Sequence, residues 1–382
     1  MRNKIIDFLD LGAQPLANNF INKKKLLNKE RKYRLIICFN KINKLVSIKK
    51  IISSNDMFND KYPYRSSMSK TMRVHLKKLS NIIKKSKPKK ILEIGSNDGC
   101  FIKNFEKNKT IGIEPCANVE KITKKNNYNT YPEYWTPKLA SKIIKKHNKV
   151  DLIFSSNTIS HIKNLDDVFK GINIALDDKG IFIIEDPSLL ECLKKNTYDQ
   201  FYNEHIYVFS YLGLSNALKK HNLEIFKIEK LEIHGGSNRY YIKKNSNVLK
   251  LHKSVHNHMY EEKKFGLNNL KAYTNFAKRV KLSKKKLLNI FKNCKKNNKK
   301  VVGYGATAKS VTILNYCNIN NKMIDYFIDT TPDKQNKYTP GTKILIKKSV
   351  NLIDDNVDFV FLGAWNFQKE IFNKEKKYIK NG

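Results

Sequence analysis

Tyr202, Glu204 and His205 lie within four positions of one another in the stretch QFYNEHIYVFS, residues 200–210. A phenol, a carboxylate and an imidazole so close together are the parts of a proton-handling set. A neutral imidazole titrates near working pH and can take a proton, and a phenol can donate to an oxygen on which charge develops. The same three types would also suit a polar surface loop. What lies upstream and downstream must decide between the two.

Residues 1–75 mix short strand-like runs (YRLIICF, KLVSI) with a polar aromatic loop, KYPYRSSMS, that carries Tyr64. A lysine-rich helix is expected over 70–86. From residue 90 strand-like runs (KILEIG, TIGIEP, KVDLIFSSN, GIFIIEDP) alternate with helical spacing (CFIKNFEK, LDDVFKGINIAL). That alternation predicts a parallel, doubly wound sheet. LEIFKIEKLEI and NRYYIKK then alternate with period two, as a closing antiparallel pair would. Residues 247–300 read as a helical connector, and a second, smaller Rossmann-like unit begins at 301 with KVVGYGATAKSVTILNY. The expected divisions are therefore 1–75, 76–246, 247–300 and 301–382.

The first glycine-bearing turn, ILEIGSNDGCF, puts Glu93, Gly95 and Gly99 between a strand and an expected helix. Gly95 lets backbone pass close to a ligand, and a helix N-terminus behind it would offer free N–H groups. Asn97 and Asp98 stand where a pyrophosphate would approach, and a carboxylate there repels phosphate and suits a cation. Glu114 ends the next strand, where an acid grips ribose hydroxyls in such folds. An acidic turn with a ribose carboxylate fits S-adenosylmethionine, which carries a sulfonium, an amino group and a ribose but no phosphate. Trp135 either borders the adenine or packs in the core.

The second turn, GYGATAKS, carries Gly305, Thr307 and Lys309. These residues could meet a diphosphate, or the turn could serve helix–strand packing alone. The spacing is not that of a P-loop. Arg239 could clamp a phosphate bidentately or pair with a local acid.

A net charge of +41 invites a nucleic-acid reading, yet only seven of the 75 basic residues are Arg. Lys, Asn and Ile are inflated together and evenly, which fits solvated faces better than a focused patch. Nucleic-acid and membrane partners are not expected. The six cysteines are scattered, as free thiols of a reducing cytoplasm would be. The N-terminal apolar run is too short, and too acidic at Asp7 and Asp10, for a signal peptide.

Ten stretches in order resemble the C-methyltransferases that act on nucleotide-linked 4-keto-deoxysugars. They are DLGAQPLANNF (10–20), YPYRSSMS (62–69), EIGSNDG (93–99), GIEP (112–115), SNTISHI (156–162), YNEHIYVFS (202–210), HGGSNRYYI (234–242), GYGATAKSVTILN (303–315), DTTPDKQNKYTPGTKI (329–344) and GAWNFQKEI (363–371). The resemblance departs in two places. Family members usually hold an N-terminal zinc through two Cys pairs, of which only Cys38 remains, with Lys41 at its partner's position. One thiolate holds no structural zinc, so no metal is expected. Asn203 also stands where the family has a first His.

The resemblance implies an α/β protein: a class I, Rossmann-like S-adenosylmethionine methyltransferase domain, a smaller C-terminal Rossmann-like domain and a degenerate N-terminal region. His205 is then the expected base that removes a proton alpha to a ketone. Glu204 orients the imidazole, backs the substrate or is itself the base, an order the sequence leaves open. Tyr202 and Tyr64 are the phenol donors, and His161 lines the pocket. Glu93, Gly95, Asn97, Asp98, Gly99, Glu114, Pro115 and Asn157 form the expected cofactor set. Arg239, Gly305, Thr307 and Lys309 form the expected substrate set, toward a nucleotide sugar, dTDP-linked by this reading, bound to a cytoplasmic monomer. His234 reads as an ordinary loop histidine outside the site. The competing readings are a sugar O- or N-methyltransferase, a basic RNA-binding protein and a non-catalytic remnant.

Overall fold

Alternation of apolar and polar residues builds the first sheet. In strand β2 (Lys32–Asn40) Tyr33, Leu35 and Ile37 are buried at every second position, as a strand with one covered face requires. It pairs antiparallel with β1 (Ile5–Pro15) on one side and β3 (Val46–Ile48) on the other. A computed structural model describes residues 4–381, and every element named below lies within them.

Short, fully buried runs, ILEI and TIGI, lie inside the second sheet. Strands β4 (Ile91–Ile94), β5 (Thr110–Ile113), β6 (Thr130–Tyr131), β7 (Val150–Ser156) and β8 (Leu176–Pro187) run parallel. After β8 the chain leaves this sheet, and β9 (Tyr207–Val208) adds to the first sheet beside β3. It then returns as β10 (Leu223–Leu231) and β11 (Ser237–Lys244). The seven-stranded order is β10-β11-β8-β7-β4-β5-β6, with β11 antiparallel to both neighbours. The expected closing antiparallel pair is present.

Helix Lys70–Lys84 covers one face of this sheet with Met72, Leu76, Leu79 and Ile83, and its N-cap Ser69 accepts the Met72 amide. Helix Leu165–Ala175, capped by Asn164, covers the other face. The expected helix at CFIKNFEK does not form; a short 3-10 turn, Ile102–Asn104, takes its place. The Asn104 side chain donates to the carbonyls of Cys100 and Phe101 and so competes with continuation of the helix.

The third sheet, β14-β13-β12-β15, is parallel and consists of β12 (Val301–Tyr304), β13 (Phe327–Ile328), β14 (Ile346–Lys347) and β15 (Phe359–Leu362). Helix Ala308–Cys317 follows β12. Helices Lys253–Phe265 and Leu270–Lys296 precede it. The second of these is a core element rather than a bare spacer. Its Tyr273, Phe276 and Val280 sit in one apolar cluster with β1, β2 and the helix after β12. The Tyr273 ring stacks on Phe39 at 4.5 Å between centroids and touches Phe8 at 5.0 Å. Its hydroxyl donates to the Leu267 carbonyl at 2.7 Å.

Removing that ring opens a cavity where the first sheet meets this helix. Tyr273→Ala is expected to lower stability by about 3–5 kcal/mol, and Tyr273→Phe by about 1 kcal/mol. Urea unfolding followed by circular dichroism measures both.

Candidate active site

The loop between β8 and β9 brings His205 to a cavity of about 560 Å³ enclosed by the second and third sheets. A turn at Tyr198–Gln200 directs the Gln200 carbonyl inward, and the His205 Nδ1–H donates to it at 2.7 Å. This bond leaves Nε2 as the acceptor, and the Tyr202 hydroxyl donates to it at 2.6 Å. Both rings line the cavity. Tyr202 and His205 pack at 4.0 Å between centroids, His205 and His161 at 5.0 Å, and His161 and Phe58 at 5.4 Å. The four rings form one continuous stack.

Burial sets the charges here. It pushes His205 well below the usual imidazole range, with the neighbouring His161 and Lys309 adding to the effect. Burial alone takes His161 down to about 4, and its Nε2 has no partner. Tyr202 is driven well above the phenol range by burial and the nearby Glu204. Phenol and imidazole are thus both neutral, and the imidazole keeps a lone pair on Nε2.

Glu204 faces elsewhere. Its carboxylate accepts from Asn18 at 2.7 Å and from Tyr62 at 3.1 Å, and it neither bonds His205 nor lines the cavity. Orientation of the imidazole, expected from Glu204, comes instead from a backbone carbonyl, because Glu204 and His205 project to opposite sides of a tight loop. Burial raises Glu204 to about 7, against the lowering from Asn18 and Tyr62.

The first glycine turn forms the far wall. Gly95 has φ +75°, and a Cβ there would meet Thr158 Oγ1 at 2.1 Å. Glu114 accepts the amides of Asn97 at 2.9 Å and Cys116 at 2.8 Å, which fixes the turn against the end of β5. Glu93, Gly95, Asn97, Glu114, Pro115 and Asn157 all line the cavity. Asp98 and Gly99 do not; they border a separate surface hollow. Asp98 accepts from the Ser67 amide and hydroxyl, while Asn97 bonds the Ser66 amide and the Tyr64 carbonyl. This pair therefore anchors the loop that carries Tyr64 into the cavity. No helix begins directly behind the turn, so the free N–H groups expected there are not supplied by one.

The residues fit S-adenosylmethionine. Burial drives Glu93 well above the carboxylate range, and its Oε2 is buried without a partner, as is the Ser96 hydroxyl. A cationic ligand beside Glu93 would reverse that shift. Trp135 lines the cavity and also packs in the core, with its Nε1 on the Val168 carbonyl at 3.2 Å.

The opposite wall comes from the third sheet. Gly305 and Thr307 line it, with Thr307 capping helix Ala308–Cys317 through the Ser310 amide. The turn amides are already engaged: Gly305 donates to Ile328 and Ala306 to Asp329. Lys309 is buried, and its ammonium donates only to the His234 carbonyl, at 3.2 Å. No direct ion pair holds it among the described residues, although the Asp199 carboxylate nearby offsets part of the cost of its burial. Arg239 is not brought to the cavity. Its guanidinium is held by Glu185 at 2.5 Å and Glu229 at 2.7 Å, the local-acid alternative, because its position on β11 buries it between the acids directly opposite on β8 and β10.

Sequence reasoning missed Tyr62, Asn18, Gln200 and His234, all of which line the cavity. Asn18, Tyr62 and His234 lie inside stretches that carry the resemblance; Gln200 acts partly through its carbonyl, which leaves no side-chain signal. Among the described residues no group of three or more His, Cys, Asp or Glu converges to hold a metal. Nor is any helix among them long and apolar enough to cross a membrane.

Residues 64–228 match the model of a methyltransferase domain, and residues 232–382 match that of a C-methyltransferase C-terminal domain. With the sheet order above, these matches define the class: the chain is an S-adenosylmethionine-dependent methyltransferase, a Rossmann-like core joined to a further α/β domain. In particular it is related to the C-methyltransferase NovU of Streptomyces niveus, with 26% identity over 99% of this chain and 91% of that protein. Similarity to solved structures is partial. A putative O-methyltransferase of Nostoc punctiforme aligns over 46% of this chain at 17% identity and a TM-score of 0.35, and this chain spans 57% of its length. A methyltransferase of Archaeoglobus fulgidus aligns over 43% of this chain and 72% of its own, at 17% identity and a TM-score of 0.36.

The Glu204 shift has a sign. A carboxyl that titrates near 7 when folded and about 4.5 when unfolded holds its proton longer in the folded state. Its contribution to stability is complete below the unfolded value and is lost as pH rises to about 7. Relative to Glu204→Gln, the wild type is expected to lose stability across that window and to run parallel above it. Urea midpoints measured over the pH range test this.

Proposed function

We propose that the protein methylates a carbon atom alpha to the ketone of a nucleotide-linked 4-keto-deoxysugar. The observation that carries this reading is the Tyr202–His205 pair: a neutral base and a phenol donor, 2.6 Å apart, on the wall of a cavity with an acidic turn on one side and an unpaired buried ammonium on the other. An oxygen or nitrogen acceptor needs no proton taken from carbon, whereas carbon alpha to a ketone becomes a nucleophile only after losing one, to a base beside a donor for the enolate oxygen.

The residues divide the work as follows. In the ligand-free arrangement the Tyr202 hydroxyl covers His205 Nε2. A ketone oxygen gives that hydroxyl a second acceptor, and turning toward it uncovers the lone pair. Nε2 then takes the alpha proton, and the Gln200 carbonyl stabilises the imidazolium through Nδ1–H. Tyr202, with Tyr64 also lining the cavity, donates to the enolate oxygen. When bound, S-adenosylmethionine supplies an electrophilic methyl group on a cationic sulfur. Glu93, Gly95, Asn97, Glu114, Pro115 and Asn157 would hold it. His161 and Phe58 exclude water from the base.

Lys309, Gly305 and Thr307 face the nucleotide end of the acceptor. A buried ammonium with no carboxylate in direct contact, and only Asp199 nearby, is costly, and a diphosphate would add negative charge against it. Burial lowers the Lys309 pKa, and a bound anion would restore it.

His205→Ala is expected to lower methyl transfer by a factor on the order of 10²–10⁴ and to abolish exchange of the alpha proton with deuterated water, with S-adenosylmethionine affinity retained. Normal exchange in that variant would remove His205 as the base. Lys309→Met is expected to raise the acceptor KM by about tenfold or more without loss of cofactor affinity, read by steady-state kinetics and calorimetry.

A further inference from the structure

His234 sits in a backbone conformation that is uncommon outside glycine. Its φ of 53° lies in the left-handed region, where every other non-glycine residue among those described is Asn or Lys. His is among the few non-glycine types that adopt this region readily, and the two glycines that follow, at φ 88° and 122°, continue the bend.

The conformation has two consequences. First, it turns the His234 carbonyl toward the cavity, where it accepts from Gln200 Nε2 at 2.6 Å and from Lys309 Nζ at 3.2 Å. One backbone oxygen thus joins the residue whose carbonyl fixes His205 to the ammonium on the opposite wall. Second, it sends the imidazole into the same cavity, with Phe367 edge-on at 6.5 Å. There Nε2 is buried and has no partner in the protein. A buried polar atom left unpaired is unfavourable unless a ligand completes it.

We propose that His234 is a specificity-determining residue whose imidazole hydrogen bonds the part of the acceptor lying between His205 and Lys309. This rests on the acceptor being a nucleotide-linked keto sugar. In such a molecule the span between the reacting carbon and the diphosphate is the sugar ring with its hydroxyl groups. A neutral imidazole can donate to or accept from a hydroxyl, and burial keeps this ring neutral, drawing its pKa down to about 3 with help from Lys309 and His75. The carbonyl makes His234 a positioning residue as well, but the two roles separate on substitution. Asn tolerates the left-handed backbone and keeps the carbonyl while removing the imidazole.

The test compares the wild type, His234→Asn and His234→Gly with a dTDP-linked 4-keto-6-deoxyhexose as acceptor. Thermal unfolding and S-adenosylhomocysteine affinity report whether each variant keeps its fold. The expected result is an acceptor KM raised by about tenfold in both variants, with kcat changed by less than about threefold and S-adenosylhomocysteine affinity unchanged. Unchanged KM in both folded variants overturns the proposal. So does a parallel loss of S-adenosylhomocysteine affinity, which would mark a purely structural role. If the wild type neither binds nor methylates the keto sugar, the functional reading falls and this inference falls with it. If the wild type turns over while the variants match it, only this inference falls.

Discussion

Everything at this site hangs on how one loop is fixed. Residues 199–209 are tied to all three sheets at once. Asp199 accepts from Trp365 after the third sheet at 2.5 Å, and Gln200 reaches His234 at the edge of the second. Asn203 donates to the Pro15 carbonyl, and Ile206 accepts the Ile48 amide before β9 zips into the first sheet. The Leu189 amide closes the loop on Phe209. His205 is therefore oriented by a backbone carbonyl whose own position is set from three directions. A displacement of about 1 Å at a reacting group can cost orders of magnitude in rate, and rigid elements on every side limit such displacement.

The electrostatics follow from the same burial. His161, His205 and His234 are all held neutral, Glu93 and Glu204 are held toward their protonated forms, and Lys309 is drawn below the ordinary ammonium range. A cavity that disfavours its own charges gains most from ligands that bring opposite ones. The two ends differ in sign. The end near Glu93 suits a cation and the end near Lys309 an anion, with a neutral imidazole and phenol between them. That polarity sets the direction in which a donor and an acceptor would enter.

The parallel sheet was legible from the order of its parts: ILEI and TIGI are buried at every position and too short for a helix, and the sequence alternates them with helical spacing. The chemistry of residues 202–205 was legible as a set of types but not as an arrangement. Glu204 and His205 are adjacent in sequence, yet one bonds Asn18 and Tyr62 while the other bonds Gln200 and Tyr202. Arg239 misled because a lone Arg after glycines looks like a phosphate clamp, and the acids that claim it come from other strands. His234 was passed over because its signal is conformational: only the backbone angle and the unpaired nitrogen mark it. The missing helix at 100–107 turned on one Asn side chain competing for two carbonyls, an effect that periodicity does not register.

The first sheet bears on the loss of the cysteine ligands. Cys38 donates to Asp7 at 3.2 Å, and burial with that acid takes its thiol up to about 12. A metal site needs thiolates, and several of them, so these residues do not suit one. What holds the sheet is instead the apolar cluster it shares with helix Leu270–Lys296, together with the pairing of β9 on β3. The strand that closes this sheet is thus the continuation of the loop that carries His205. The stability of the first sheet and the placement of His205 are for that reason coupled through one segment of the chain.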